Sequence, residues 1–171
     1  MKIAVHGPMC SGKTTVSKII QEYDKQYKVY SFGKKVKDIA NDLFQMQHKD
    51  RSLLINIASK MREIDEDIWA KYVLSQIKKD NTKKCIIDDL RFKNESKYLH
   101  DDWVFISLTT PKNIRIDRIK SLYKENYKDH IKNMNHISEN DSPQLPKERT
   151  HYIDTSIDYE LLKKKIINIL H

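Results

Sequence analysis

Two of the three glycines in this chain of 171 residues lie in one short segment near its start. The segment is Gly7-Pro8-Met9-Cys10-Ser11-Gly12-Lys13-Thr14, which fits the pattern GxxxxGK[ST]. It follows a short apolar run at residues 2–6 and precedes residues 14–23, in which apolar side chains recur at helical spacing. Glycine lets the backbone curl until successive amide groups point inward, and the start of the helix adds its positive dipole end. The segment therefore predicts a phosphate-binding loop between a strand and a helix.

The side chains of this loop indicate which phosphates it would hold. Lys13 is expected to reach the β and γ phosphates of a nucleotide as a mobile charge. The hydroxyl of Thr14 is the expected ligand of Mg²⁺, and Thr15 is expected to contact the α phosphate. We therefore predict that ATP and Mg²⁺ bind at this loop. The predicted ATP-binding residues are Gly7, Met9, Cys10, Ser11, Gly12, Lys13, Thr14 and Thr15.

Apolar segments and helical segments alternate along the rest of the chain, and this alternation determines the fold class. Strands are predicted at residues 2–6, 29–32, 85–88, 104–108 and 151–154. Helices are predicted at residues 14–23, 36–44, 51–62, 66–79, from Pro111 onward, and at 159–170. Strands that are separated by helices form parallel sheets with helices on both faces. We predict an α/β fold of three layers, with a polar loop or lid at about residues 126–149.

Composition narrows the class of protein further. The length suits a single domain, and 39% apolar residues suffice for a packed core. There is no apolar run long enough to span a bilayer and no charged leader with a cleavage site, so we expect a cytoplasmic protein. Cys10 and Cys85 lie in different contexts, which indicates two free thiols. The net charge of +8 comes from scattered lysines, which favours solvated helix faces over direct binding of nucleic acid.

An apolar run that ends in two acids gives a second candidate element of the site. The run is Cys85-Ile86-Ile87-Asp88-Asp89, which has the form of the strand whose terminal acid supports Mg²⁺ beside a phosphate loop. Either Asp88 or Asp89 could serve, and the sequence leaves the choice open. Arg91 follows closely enough to face the same crevice, where an arginine can bind a phosphate in bidentate fashion.

Other arginines and aromatic residues are weaker candidates. Arg115 and Arg118 share one face of a predicted helix, so they could swing over the transferring phosphoryl group or be ordinary surface residues. Arg51 and Arg62 flank another predicted helix, and one of them could hold the phosphate of an acceptor. Phe32, Phe92 and Trp69 could stack on a base or belong to the core. His136 is expected at the surface rather than as a general base.

Four short blocks after the phosphate loop carry a resemblance to a known family. Residues 30–37, YSFGKKVK, are similar to the family's SFADPLK, and residues 65–69, DEDIW, to its DPDIW. Residues 89–95, DLRFKNE, are close to its DVRFPNE, and residues 136–139, HISE, to its HPSE. In order and spacing the chain resembles the nucleoside monophosphate kinase superfamily, and within it the deoxynucleoside monophosphate kinases of phages and large DNA viruses. It departs from the family at Gly33, Lys34 and Lys93, and it has Ile55-Asn56-Ile57-Ala58 where the family has a glycine-threonine-glutamate element.

This resemblance implies a reaction and a set of roles. The reaction is transfer of the γ-phosphoryl group of ATP to a deoxynucleoside monophosphate, with Mg²⁺ as cofactor. The implied fold is one domain with five parallel strands, an acceptor-binding helical region at about residues 33–80 and a helical lid at about 115–149. By the same resemblance Arg91 and Arg62 bind the acceptor phosphate and Asp89 supports the water shell of Mg²⁺. The resemblance also places Phe32 and Trp69 in the acceptor pocket. From the residues themselves we add Lys37, Arg51 and Phe92 as candidates for that pocket, and Lys13, Arg115 and Arg118 as candidates that act with Arg91 and Asp89 in catalysis.

Several alternatives remain open at this point. The acceptor could instead be a ribonucleoside monophosphate, dephospho-coenzyme A or a phosphomevalonate-type substrate. From another class, the chain could be a nucleotide-binding regulator or an ATPase linked to nucleic acid. We expect nucleotide substrates as the partners, with no membrane and no nucleic acid, and we leave open whether a homodimer forms.

Overall fold

Five parallel strands form the centre of the computed structural model, which describes residues 1–135 and 142–171. Their order in the sheet is β2-β3-β1-β4-β5, so β1 pairs with both β3 and β4. The strands are β1 Lys2–His6, β2 Lys28–Tyr30, β3 Cys85–Leu90, β4 Trp103–Thr109 and β5 Thr150–Asp154. The predicted α/β fold with a parallel sheet is confirmed.

The helices cover both faces of this sheet. They are α1 Lys13–Tyr23, α2 Phe32–Phe44, α3 Arg51–Ile64, α4 Ile68–Lys79, α5 Lys93–Lys97, α6 Lys112–Leu122, α7 Tyr127–Lys132 and α8 Tyr159–Ile169. Short 3₁₀ turns lie at Asn133–Asn135 and Lys147–Arg149. Within the described ranges, every helix is too short or too polar to cross a membrane.

Alternation along the central strands creates one apolar core on each face. Ile3 and Val5 of β1 pack in a cluster with residues of α1 and α8, whereas Ala4 packs in the opposite cluster with residues of α2, α3 and α4. Successive side chains of a strand point to opposite faces, so a strand buried on both faces reads as a continuous apolar run. This explains why β1, β3 and β4 were recognisable in the sequence. Cys85 is buried in β3, and both cysteines are free thiols as predicted.

Two boundaries differ from the prediction because of one carboxylate. The predicted second strand ends at Tyr30, and Phe32 already belongs to α2. Asp89 accepts hydrogen bonds from Ser31 Oγ (2.7 Å) and from the backbone N–H groups of Phe32 and Gly33 (2.8 Å each). These are the donors that a helix start leaves unpaired, so a side chain from β3 allows α2 to begin earlier than its apolar spacing indicates. The strand β3 itself continues through both aspartates to Leu90.

The segment at about residues 126–149 was predicted to be a polar loop or lid, and its first part is helical rather than loop. Tyr127–Lys132 form the helix α7. Tyr127 and Ile131, one helical turn apart, pack against a small cluster formed by Met9, Ile119 and Met134. This tertiary packing outweighs the polar composition of the segment. The short helix α5 was also missed, because five residues are too few for a periodic pattern.

The first turns of α8 offer a direct test of the core. Leu162 is 5% exposed and packs in the cluster of α1 and α8, whereas its neighbour Leu161 is 47% exposed. We expect Leu162→Ala to lower the free energy of unfolding by about 2–5 kcal/mol, because it leaves a cavity in the core. The matched control Leu161→Ala is expected to change it by less than about 0.5 kcal/mol. Urea unfolding followed by circular dichroism measures both values, and equal losses would contradict the assigned core.

Candidate active site

The loop between β1 and α1 has the backbone geometry of a phosphate cradle. Gly7 and Gly12 have φ values of 152° and 94°, and Cys10 has a φ of 59°. A β-carbon at Gly7 would lie 2.6 Å from Ser11 Oγ and 3.0 Å from Leu108 Cβ, so a side chain at this position is excluded by space as well as by backbone conformation. The spacing of the two glycines thus corresponds to two positions of the loop that require glycine.

Polar groups of the loop are arranged to meet an anion. Lys13 Nζ donates hydrogen bonds to the carbonyl oxygens of Gly7 (2.6 Å) and Pro8 (2.8 Å), which places its charge over the loop. Ser11 is fully buried, and its hydroxyl has no hydrogen-bond partner within the part of the chain that the structure describes. A buried hydroxyl without a partner is unfavourable, and a phosphate oxygen would satisfy it. The loop therefore fits a nucleotide phosphate.

Arg118 and Thr155 support the loop through its backbone. Arg118 donates from Nη1 to the carbonyl oxygen of Cys10 (3.1 Å) and from Nη2 to that of Thr155 (2.6 Å). Thr155 Oγ1 donates in turn to the carbonyl oxygen of Ser11 (2.7 Å) and lies 2.6 Å from Thr110 Oγ1. These contacts tie the loop to the carboxyl ends of β4 and β5. They give Arg118 a structural task beside the catalytic one predicted for it.

Arg115 approaches the phosphate loop, as Arg118 does, but it does not line the cavity. Arg118 lines the cavity beside this loop, which is described in the next paragraph, whereas Arg115 is not among the lining residues. The contact of Arg115 Nη1 with the carbonyl oxygen of Met9 is long, at 3.5 Å. A direct contact of Arg115 with a transferring phosphoryl group stays a prediction.

A cavity of about 500 Å³ extends from the phosphate loop toward α3 and β3. All predicted ATP-binding residues except Gly7 line it, and so do all predicted acceptor-binding residues. The latter are Phe32, Lys37, Arg51, Arg62, Trp69, Arg91 and Phe92. Hereafter the part of the cavity lined by these seven residues is called the acceptor end. The parallel strands place these distant parts of the sequence together at their carboxyl ends, where open α/β sheets bind ligands.

The two aspartates of β3 are in different situations. Asp89 is hydrogen-bonded to the start of α2, as described above, through both carboxylate oxygens. Asp88 also lines the cavity; burial and the neighbouring charge of Asp89 raise its pKa, against the opposing effect of Lys37 and Lys13. A cation would relieve this repulsion between the two carboxylates. Asp88 is consequently the better placed of the two for Mg²⁺, and the assignment of Asp89 stays a prediction.

A buried carboxylate organises the two arginines of the acceptor end. Glu95 is 2% exposed, and its Oε2 accepts hydrogen bonds from the backbone N–H groups of Arg91 (2.8 Å) and Phe92 (2.9 Å). Its Oε1 lies 3.5 Å from Arg62 Nη2, and the Arg62 guanidinium lies 4.1 Å from the centre of the Phe92 ring. Burial raises the pKa of Glu95 to about 7, although the two N–H donors and Arg62 oppose the shift. Glu95 was not recognised as a candidate from the sequence.

Two of the three aromatic candidates, Phe32 and Trp69, belong to the core and also line the cavity. Phe32 and Trp69 are buried in the cluster beneath α2, α3 and α4. Trp69 Nε1 donates to the carbonyl oxygen of Ala58 (3.2 Å), which fixes its ring beneath α3. Asp67, which precedes it, accepts hydrogen bonds from Asn94 Nδ2 (3.0 Å) and Tyr98 Oη (2.8 Å). The block around Trp69 therefore joins α4 to α5 and forms an apolar wall of the acceptor end.

Several cavity residues had no signal in the sequence analysis. Lys49 lies just before α3 and Tyr123 just after α6, and Thr155, Ile157 and Tyr159 follow β5. A position directly after a parallel strand is itself a signal, and it could have identified Thr155. His136 and the block at residues 136–139 lie outside the described residues, so the structure does not test them.

The raised pKa of Glu95 predicts a pH dependence of stability. The folded protein keeps this proton up to about pH 7, whereas the usual value is 4.5, so stability falls as pH rises through that window. Relative to Glu95→Gln, the wild type should lose on the order of 2–3 kcal/mol of unfolding free energy between about pH 5 and pH 8. Urea unfolding at the two values measures this difference. The exposed control Glu63→Gln should have the same pH dependence of unfolding free energy as the wild type. Parallel pH curves for Glu95→Gln and wild type would contradict the assignment.

Several solved structures with a similar fold are named as kinases. The chain is similar to a sugar kinase from Janibacter sp. HTCC2649, with 14% identity, a TM-score of 0.63 and coverage of 99% of this chain and 93% of that one. A gluconokinase from Sinorhizobium meliloti matches with 14% identity, a TM-score of 0.59 and coverage of 99% and 90%. Shikimate kinase from Aquifex aeolicus matches with 17% identity, a TM-score of 0.51 and coverage of 99% and 96%. These likenesses show a P-loop kinase fold.

Sequence comparison gives the family. No curated protein matches the sequence. A family model described as AAA domain matches residues 3–146, which is most of the chain. The chain therefore belongs to the AAA domain family.

Proposed function

We propose that this protein transfers the γ-phosphoryl group of ATP to a nucleoside monophosphate, and that the acceptor is a deoxynucleotide. The observation that carries the proposal is the two-ended cavity, in which a phosphate loop faces a second group of cations beside an apolar wall. The kinase names of the structural neighbours support the reaction class. The similarity of residues 30–37, 65–69 and 89–95 to deoxynucleoside monophosphate kinases supports the finer choice of acceptor.

The donor half of the cavity suits ATP. The loop would hold the β and γ phosphates through its amide groups and Lys13, as in other loops of this pattern. Ile157 and Tyr159 line the cavity after β5 and offer apolar surface for the adenine base. Thr14 and Asp88 are the oxygen donors that would hold Mg²⁺, which is commonly bound by one or two carboxylates together with substrate phosphates. The ion, when bound, neutralises charge on the phosphate oxygens.

The acceptor half suits a molecule that carries both a phosphate and an aromatic base. Arg62 and Arg91 line it beside the buried carboxylate of Glu95, and Lys37 and Arg51 add two further cations. A nucleotide phosphate is a dianion that arginines bind well, so this group of cations suits a phosphorylated acceptor better than a neutral sugar or a small alcohol. Trp69 belongs to the apolar wall against which the base would pack.

The proposed transfer needs positioning rather than a strong base. A phosphate oxygen of the acceptor attacks the γ phosphorus of ATP, and the bond from this phosphorus to the β–γ bridging oxygen breaks, which releases ADP. The attacking phosphate already carries negative charge, so no proton has to be removed from a hydroxyl group. Lys13 is placed to stabilise charge on the oxygens around the transferred group.

The proposed reaction can be tested by ADP release. We expect ADP release that depends on acceptor when purified protein, ATP and Mg²⁺ are assayed with the four deoxynucleoside monophosphates, their ribose counterparts, dephospho-coenzyme A, shikimate and gluconate. Deoxynucleotides should give the highest kcat/KM. Lys13→Ala should abolish turnover while circular dichroism shows an intact fold. Turnover with shikimate or gluconate alone, or ADP release that no acceptor stimulates, would contradict the proposal.

The acceptor end can be tested separately from the donor end. We expect Arg62→Ala and Arg91→Ala each to lower kcat/KM for the acceptor roughly 10- to 100-fold, because each removes a charge-assisted contact to its phosphate. The KM for ATP should change little. Arg149→Ala is the matched control, since Arg149 contacts the carbonyl oxygens of His100 (2.8 Å) and Trp103 (3.1 Å) and does not line the cavity. Equal losses for ATP and acceptor would contradict the assignment of the two ends.

A further inference from the structure

A carboxylate of α7 caps the start of α3. Asp129 Oδ2 accepts hydrogen bonds from the backbone N–H groups of Arg51 (2.7 Å) and Ser52 (3.2 Å), and its Oδ1 accepts one from Ser52 Oγ (2.5 Å). The helix's own N-cap residue, Asp50, accepts only from the N–H of Leu53 (2.8 Å) among these first-turn groups. The first two N–H groups of α3 thus depend on a side chain from another element.

Further contacts join the same two parts of the chain. Asn133 Nδ2 donates to Ser52 Oγ (3.1 Å), and Asn126 Nδ2 donates to the carbonyl oxygen of Lys49 (2.5 Å). Lys49 Nζ donates to Tyr123 Oη (3.0 Å). Residues 49–52, which lead into α3, are therefore bound at several points by residues 123–133.

The segment that binds α3 is itself firmly packed. His130 is fully buried, and its ring stacks on that of Tyr123 with centroids 3.8 Å apart and an interplanar angle of 16°. His130 Nδ1 lies 3.2 Å from the carbonyl oxygen of Asn126. The end of α6 and the helix α7 are thereby held together, and we call α6 and α7 the lid helices.

The lid helices reach both ends of the cavity. On the donor side Arg118 of α6 is hydrogen-bonded to the carbonyl oxygen of Cys10 in the phosphate loop (3.1 Å). On the other side Asp129 of α7 holds Arg51, and the side chains of Arg51 and Lys49 line the cavity. One continuous series of contacts therefore runs from the phosphate loop through the lid helices to α3.

We propose that Asp129 is a positioning residue that couples the two ends of the cavity, so that nucleotide at the phosphate loop stabilises the start of α3 and places Arg51 for the acceptor. The path for this coupling is the series of hydrogen bonds described above: a nucleotide that orders Arg118 and the lid helices would also order Asp129, which accepts hydrogen bonds from the first two N–H groups of α3. The statement about Arg51 and the acceptor rests on the proposed function. The coupling between the loop and α3 does not.

The charge state of Asp129 agrees with this role. Burial alone would raise its pKa, but the hydrogen bonds from the Ser52 hydroxyl and from the N–H groups of Arg51 and Ser52 lower the pKa on balance. The carboxylate is therefore ionised at neutral pH, and hydrogen bonds to an ionised acceptor are stronger than those between neutral groups.

Hydrogen–deuterium exchange tests the coupling without reference to turnover. The probe is a non-hydrolysable ATP analogue with Mg²⁺, added to wild type, Asp129→Ala, Ser52→Ala and Asp117→Ala, the last being an exposed aspartate of α6. In wild type and Asp117→Ala the analogue should slow exchange in residues 7–15 and also in residues 51–54. In Asp129→Ala only residues 7–15 should be protected, and Ser52→Ala should lie between. Protection of residues 51–54 that is equal in Asp129→Ala and wild type would overturn the proposal, as would its absence in wild type.

Kinetics then test the consequence for the acceptor. Asp129→Ala should raise the KM for the acceptor on the order of tenfold with a smaller change in the KM for ATP, because it misplaces Arg51 without touching the phosphate loop. Asp117→Ala should change neither constant. Asp129→Asn, which keeps one oxygen acceptor, should recover part of the loss. If the wild type shows no acceptor-dependent turnover, the proposed function fails, and the exchange experiment alone decides whether Asp129 couples the two ends.

Discussion

The hydrogen bonds of Asp89 join the central sheet to the helices that form the far half of the cavity. This carboxylate at the end of β3 accepts from Ser31, Phe32 and Gly33 at the start of α2. A β-carbon at Gly33 would lie 3.1 Å from Asp89 Oδ2, which gives a reason for glycine at this place. Since α2 packs against both α3 and α4, this contact with the sheet helps to position the acceptor end, together with the apolar core beneath these helices.

Two further carboxyl groups also accept hydrogen bonds from backbone N–H groups beside the cavity. Glu95 binds the N–H groups of Arg91 and Phe92, and Asp129 binds those of Arg51 and Ser52. Each uses carboxyl oxygens to satisfy backbone donors that a helix start or a turn would otherwise leave unpaired. Together with Asp89, they fix the backbone at the cavity residues Phe32, Arg51, Arg91 and Phe92. Among the acids that line the cavity, Asp88 is then the one best placed for a metal ion.

The phosphate loop could be predicted from sequence because its requirements are local. Gly7 and Gly12 have the positive φ angles expected of them, and the loop lies between a strand and a helix as the pattern indicates. The buried strands were predictable for the same reason, since their apolar runs are continuous. Arg91 was a candidate because it follows the acidic strand end, and Phe32 and Trp69 were candidates as aromatic residues; the structure places all three at one cavity.

The contacts that were missed join residues far apart in the chain. Asp89 was assigned to a metal because of its place after an apolar run, and nothing local shows that its partners lie at the start of α2. Glu95 and Asp129 have ordinary surroundings in the sequence, and only the fold brings Arg62 and Ser52 to them. The helix α7 was interpreted as loop because its stabilising partners, Met9 and Ile119, come from other elements. Tertiary packing decides such cases, and a single sequence does not contain it explicitly.

The central claim is that one cavity holds two nucleotides end to end. The most direct measurement is a crystal structure with a bisubstrate analogue, in which adenosine and a deoxynucleoside are joined through a chain of phosphates. The account predicts the phosphates in the loop of residues 7–14, and the second nucleoside at the acceptor end, with Arg62 and Arg91 on its phosphate and Trp69 at its base. A second nucleoside that lies outside the cavity, or that contacts neither arginine, would contradict it.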